Sequence, residues 1–216
     1  MLTRFHQDIT IQALKNHFHP TALEKVIRAN LHQDHWLTGL IGHPEYHFDS
    51  NQFRAAWKFM AGNFASVLSS LECRDGSSAQ MAFGRLIHAG QDFYAHSNYI
   101  SLWLENFPGE EKPAPDQVNL LDPSILQKAS LCSGKIYWLL ETFTWLPFWN
   151  RFFKSLLPRD SHAWMNLDDP EAGPLFPYAV AAATRWTELE FFRLSKHLSS
   201  EQRALFTGGN RQTREV

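Results

Sequence analysis

Residues 79–104 read AQMAFGRLIHAGQDFYAHSNYISLWL, and this stretch sets the fold. Apolar Phe83, Leu86, Ile87, Phe93 and Tyr94 recur at helical spacing, which predicts a helix from Ala79 to His96 with a continuation toward Leu104. His88, Asp92 and His96 fall at i, i+4 and i+8. Each step of four advances about 40° around a helix, so the three side chains share about 80° of one face. His88 and His96 are then about 12 Å apart along the axis. That is too far for both to hold one ion through bonds of about 2 Å. Asp92 lies midway and carries two oxygens. The spacing suits two ions, one near each histidine, with Asp92 between them. Paired ions about 4 Å apart can clamp both oxygens of a phosphoryl displacement. The plain alternative is three polar positions on an exposed face. The apolar flanks favour a buried site, where charge must be compensated.

Working outward, the same periodicity predicts helices over 9–18, 21–31, 53–71, 125–146, 148–157 and 178–198. Thr21 with Glu24 reads as a capping box. A polar, histidine-rich loop is expected over 39–51, and proline-rich loops over 107–123 and 158–177. No strand alternation of useful length appears. The expected fold is all-α: one helical domain over 1–206, followed by a polar tail over 207–216.

Composition bounds the function. The chain has 216 residues, a formal net charge of -2, 44% hydrophobic and 19% charged residues. A disordered chain is excluded, and no global basic field holds nucleic acid. Two cysteines exclude a disulfide scaffold and a cysteine-rich zinc module; free thiols at Cys73 and Cys132 are the simple reading. The N-terminus lacks the apolar core of a signal peptide, and no 18-residue uncharged apolar run occurs. Cytoplasmic residence is the expectation, with peripheral membrane association or export without a cleavable signal left open.

Eleven histidines stand against 20 lysines and arginines, and imidazole is the commonest metal ligand. Beyond the central helix they gather at His6, at Asp34-His35, in HPEYHFD from His43 to Asp49, and at His162 in SHAWMNLDDP. His17, His19, His32 and His197 read as surface residues. His43 could replace His47 if the loop is helical.

In this order, His6, Asp34, His47, His88-x-x-x-Asp92, His96 and His162 resemble the zinc-dependent phospholipase C superfamily, which includes single-strand nucleases. LIHAGQDFYAHSNYISLW at 86–103 is similar to the core of Het-C-like proteins, supported by RFHQDIT at 4–10, YHFDS at 46–50 and SHAWMNLDDP at 161–170. The resemblance implies a helical domain around two or three zinc ions. One ion would take Asp34, His47, His88 and Asp92. A second would take His96, His162 and an acid beyond it, Asp168 replacing the acid where position 166 is asparagine. A third would take His6, Asp92 and the Met1 amine. The implied activity is that of a hydrolase: metal-bound hydroxide attacks a phosphodiester, with Asp34 or Asp49 accepting the proton. Residues 136–157 are rich in aromatics with Arg151, Lys154 and Arg159 nearby. They read equally as core or as a bilayer interface, and their place in the resemblance favours a phospholipid substrate over a nucleic acid. Beside this stand a nuclease on the same site and a non-catalytic membrane-associated or interaction protein whose metals hold the fold.

Overall fold

A computed structural model describes residues 1–35, 39, 42–109, 111–137 and 154–209. Among these residues the secondary structure is helical, with two isolated β-bridges and no strand. The main elements are α1 (Thr3–Leu14), α2 (Pro20–Leu31), α3 (Phe53–Glu72), α4 (Gly76–His96), α5 (Tyr99–Leu104), α6 (Pro123–Leu126), α7 (His162–Met165), α8 (Phe176–Ser195) and α9 (Ser200–Thr207).

The predicted central helix is central in space. Asp75 caps it by accepting from the Ser78 amide at 2.9 Å. From Leu86 to His96 every residue is buried. A helix apolar on all sides must be surrounded, and α2, α3 and α8 pack around it. Two glycines set how closely. A Cβ on Gly84 would lie 2.4 Å from the Val26 carbonyl oxygen of α2, and one on Gly90 would lie 2.0 Å from the Trp186 ring of α8. Phe206 of α9 closes the far end, fully buried against Phe18 and Phe83 with ring centroids 5.0 and 5.3 Å away.

The C-terminal end of α4 shapes the site. Ser97 turns to extended backbone (φ -104°, ψ 163°), so α5 is a separate helix rather than the predicted continuation. The last carbonyls of a helix lack partners within it. Here Ala95 O accepts from Leu167 N at 2.8 Å and His96 O from Gly134 N at 3.1 Å. Two loops distant in sequence are thereby tied to the end of α4.

Other boundaries differ from expectation. α1 begins at Thr3, six residues before Ile9, and ends at Leu14. α2 begins at Pro20 behind His19, with no side-chain cap. The Thr21 hydroxyl pairs instead with His19 Nδ1 at 2.9 Å, and Glu24 with Arg28. The helix expected from Ile125 to Leu146 is not formed where the chain is described: α6 ends at Leu126, and 127–137 is irregular. Its backbone is engaged elsewhere, Asn98 clasping Cys132 through both amide and side chain at 3.0 and 2.9 Å. The aromatic segment 136–157 falls mostly outside the described residues, as does the tail from 210. α9, capped by Ser199 and Gln202, was not expected. No described helix is long and apolar enough to cross a membrane. Cys73 and Cys132 are both free.

Candidate metal centre

Five segments converge on Asp92. α4 supplies His88, Asp92 and His96, and α1 supplies His6. The 3-10 turn His32–Asp34, at the end of α2, supplies Asp34. A tight turn after Pro44–Tyr46 supplies His47 and Asp49, and the loop from α7 supplies His162 and Asp168. The His47 turn is strained: Phe48, Ser50 and Asn51 all have φ between 54° and 59°, a region costly for side-chain-bearing residues. It is held by fully buried Phe48. Reciprocal bonds between Asn51 and Ser133, 2.9 and 2.7 Å, and Ser50 N to Gly134 O, 2.8 Å, complete the clamp. The strain turns His47 and Asp49 inward together.

Around Asp92 Oδ2 stand His47 Nδ1 at 2.9 Å and His88 Nε2 at 3.1 Å. These two nitrogens are 3.1 Å apart, and Asp34 Oδ1 is 4.0 and 3.6 Å from them. Around Asp92 Oδ1 stand the Met1 nitrogen at 2.8 Å, His6 Nε2 at 3.1 Å and His96 Nε2 at 3.4 Å. Asp168 Oδ1 is 3.1 Å from His96 Nε2 and 2.9 Å from Met1 N. On the other edge of the His96 ring, Nδ1 lies 2.9 Å from the His47 carbonyl and 3.2 Å from Asp49 Oδ1. His162 Nε2 is 3.7 Å from Asp49 Oδ2.

The charges are tightly coupled. Burial opposes ionisation of Asp92, but His96, the Met1 amine, His6 and His88 hold it well below the carboxylate range. Burial likewise opposes charge on His96, yet Asp92 and Asp49, and a hydrogen bond donated to Asp168, raise it to about 10. His88 is pushed down to about 4 by burial and by His6. His47 is raised, Asp92 outweighing its burial. Without a metal, protons and the Met1 ammonium balance the carboxylates.

Several buried polar atoms make no well-directed hydrogen bond: His6 Nε2 and Asp49 Oδ1, which have only an ion-pair neighbour, together with His47 Nε2 and both side-chain polar atoms of Asn166. Buried polar groups are rarely left so, and an orphaned lone pair beside carboxylates is what a cation would satisfy. His6, Asp34, His88 and Asp92 place ligand atoms all within 4.8 Å of one another, as do Asp49, His96 and His162.

The structure therefore brings together His6, Asp34, His47, His88, Asp92, His96, His162, Asp168 and Asp49. Asp168 faces His96 Nε2 and Asp49 faces its Nδ1, with His162 Nε2 3.7 Å from the other oxygen of Asp49. His43 is 40% exposed and pairs with Glu45 at 3.1 Å, so His47 is the inward histidine of that loop. Asn166 is buried but meets none of these groups within hydrogen-bond range. Sequence reading missed Gln91 and Asn30, which hold the outer nitrogens of His6 and His88. Their signal was present: polar residues at positions that helical periodicity assigns to the interior.

The chain matches the family model described as the VWA7 N-terminal domain over residues 6–123. It is similar to von Willebrand factor A domain-containing protein 7 of Mus musculus, Homo sapiens and Rattus norvegicus, 33% identical in each case over 94 residues. That overlap is 44% of this chain and 10% of each relative, so the chain spans only a small part of their length. No solved structure matches it. These findings overturn the resemblance to the zinc-dependent phospholipase C superfamily and Het-C-like proteins. The metal-dependent phosphodiesterase and hydrolase expectation falls with it, and with that activity goes the ground for assigning Asp34 or Asp49 a proton-accepting role. The misleading signal has a physical source: His88, Asp92 and His96 lie inside the matched range, and a metal-spaced helix face does not specify a reaction. More than half of the chain is covered by one family model, and the chain belongs to the VWA7 N-terminal domain family.

Proposed function

We propose that this domain is a divalent-metal-binding module, with zinc the best-suited ion, in which Asp92 bridges two adjacent positions. The observation that carries the reading is the spacing of donors on the Oδ2 side. Five of the six separations among His47 Nδ1, His88 Nε2, Asp34 Oδ1 and Asp92 Oδ2 run from 2.9 to 4.0 Å. Four ligands at tetrahedral bond lengths of about 2.0–2.1 Å lie about 3.3 Å from one another. Imidazole nitrogen with carboxylate oxygen is a zinc-type donor set. Asp92 Oδ1, His96 Nε2, His6 Nε2 and Asp168 form the neighbouring set. The bound metal supplies concentrated positive charge among buried carboxylates. The residues hold it, and in doing so tie α1, α2, α4 and the loops around 47 and 168 into one body. The module's role is accordingly binding and structural.

The test is elemental analysis of protein purified without chelator, paired with thermal unfolding. Two zinc ions per chain are expected. Adding zinc at about 100 times its dissociation constant contributes about 2.7 kcal/mol, a rise in Tm of about 5–10 °C for a chain of this size. Protein that carries no metal and gains no Tm on addition of zinc, manganese or cobalt refutes the reading.

A further inference from the structure

Gln91 is fully buried one position before Asp92 on α4, and its side chain makes four hydrogen bonds. Its Nε2 donates to Thr10 Oγ1 at 3.2 Å and to Thr187 Oγ1 at 3.1 Å. Both hydroxyls have already spent their single proton: Thr10 donates to His6 O at 2.7 Å and Thr187 to Ala183 O at 2.8 Å. They can only accept, so the amide nitrogen of Gln91 must face them. Its Oε1 is forced to the other side. There it sits 2.7 Å from His6 Nδ1 and accepts from Asn30 Nδ2 at 3.1 Å.

Two consequences follow from donors and acceptors alone. An acceptor 2.7 Å from His6 Nδ1 requires a proton on that nitrogen, since two lone pairs repel at that distance. Asn30 is also fixed: its amide nitrogen is held by Gln91 Oε1 and by Thr10 Oγ1 at 3.3 Å, so its oxygen faces His88 Nδ1 at 3.2 Å. His88 Nδ1 must donate as well. Both rings, stacked with centroids 4.3 Å apart, then present Nε2 toward Asp92 from either oxygen, at 3.1 Å each.

We propose that Gln91 is the positioning residue that holds a proton on Nδ1 of both His6 and His88, the second through Asn30, so that Nε2 of each is the atom turned toward Asp92 and toward any ion bound there. Two threonine hydroxyls from α1 and α8 define the direction of one amide, and that amide defines two imidazoles. The inference builds on the metal-binding reading, but its first test needs no metal.

The experiment is long-range proton–nitrogen NMR of the histidine rings in metal-free protein, at a pH where the rings are neutral, in wild type, Gln91→Met, Gln91→Glu and Asn30→Leu. Wild type should show Nδ1–H at both His6 and His88. Gln91→Met keeps the volume but removes the acceptor and frees Asn30 to rotate, so both rings should move toward Nε2–H. Gln91→Glu keeps an acceptor toward His6 and Asn30, its second oxygen taking the hydroxyl protons of Thr10 and Thr187, and should restore the wild-type pattern. Asn30→Leu should change His88 and leave His6 as it was. Zinc affinity by competition titration should fall about 10–100-fold in Gln91→Met, the range seen when partners of metal-bound histidines are lost. Circular dichroism identifies the variants that fold. Rings protonated on Nε2 alone in wild type overturn the proposal, as do unchanged tautomers in folded Gln91→Met or an altered His6 in Asn30→Leu. If Gln91→Met does not fold, the wild-type and Asn30→Leu spectra still decide. Absence of zinc binding by wild type fails the metal reading separately, leaving the tautomer result in place.

Discussion

Alanine at Gly84 and alanine at Gly62 are the same substitution in helices of similar length, and the packing predicts opposite signs. Gly62 lies on the exposed face of α3, with nothing within 4 Å of an added Cβ. Alanine there improves helix propensity by about 0.5–1 kcal/mol. At Gly84 the new Cβ meets the Val26 carbonyl oxygen at 2.4 Å, Ala29 Cβ at 2.8 Å and Asn30 N at 3.0 Å. Carbon–oxygen contacts of this kind normally stand at about 3.3 Å or more, so α2 and α4 must separate by about 0.9 Å. The obstacle is backbone, which no rotamer change relieves. Overpacking of this kind costs about 3 kcal/mol at the upper end of its usual range. Subtracting about 1 kcal/mol of propensity leaves a net loss of about 2 kcal/mol. For a chain of this size that lowers Tm by about 4–8 °C, while Gly62→Ala raises it by about 1–4 °C. Thermal unfolding followed by circular dichroism measures both. Because the displaced backbone carries Asn30, zinc affinity should also weaken in Gly84→Ala and stay unchanged in Gly62→Ala. A Tm shift of the same sign in the two variants would refute the close approach of α2 and α4.

Asp92→Asn removes the charge that faces four histidines and the Met1 nitrogen. Zinc content should drop to less than one ion per chain by elemental analysis, and breaking a buried charge cluster on one side costs about 3–5 kcal/mol in a metal-free denaturant titration. In metal-free protein, stability should fall as pH rises above neutrality. His96 has a folded pKa of about 10 against 6.5 unfolded, and the Met1 amine about 11 against 8.0. The folded state binds more protons than the unfolded between those values, so their contribution is full below the unfolded pKa and lost as pH climbs through the folded one. Denaturation midpoints at pH 6, 8 and 10 check the direction, and saturating zinc should flatten the trend. Phe206→Ala should cost about 3–5 kcal/mol, the usual range for a fully buried phenylalanine, measured by urea unfolding. A loss under 1 kcal/mol would show that α9 is not integral to the core.

Where local pattern and tertiary packing agree, sequence reading succeeded. α3 was placed to within a residue because its apolar face repeats at three and four, and the end of α4 was placed at His96, although the helix starts at Gly76, three residues before the expected Ala79, because Asp75 caps it inside the expected turn. Reading failed where a partner elsewhere took the backbone. Ile125 to Ile136 is apolar enough for a helix, but Asn98 and Asn51 pair with Cys132 and Ser133 and hold that stretch irregular. Local preference carries no trace of those contacts. The cluster at Asp92 was legible because carboxylate and imidazole at four-residue spacing are uneconomical in a buried helix without a compensating partner. The split around the two edges of His96 was not, since it depends on the ring's orientation against the His47 carbonyl. Nor does donor spacing encode a reaction, which is why an inference about ligands led to a mistaken one about hydrolysis.

The two carbonyls at the end of α4 bear on where this unit stops. Recognisable family sequence ends at residue 123, yet Ala95 and His96 are completed by Leu167 and Gly134, and Trp186 fills the space that Gly90 leaves. A fragment trimmed to the matched range would display bare acceptors and an open slot along its most deeply buried helix, inviting self-association. Inheritance and folding have drawn different borders here: the portion recognisable across relatives is shorter than the portion that can stand as a body. An expression boundary should therefore be placed after α9, at Thr207 or beyond, whatever the length of the surrounding polypeptide.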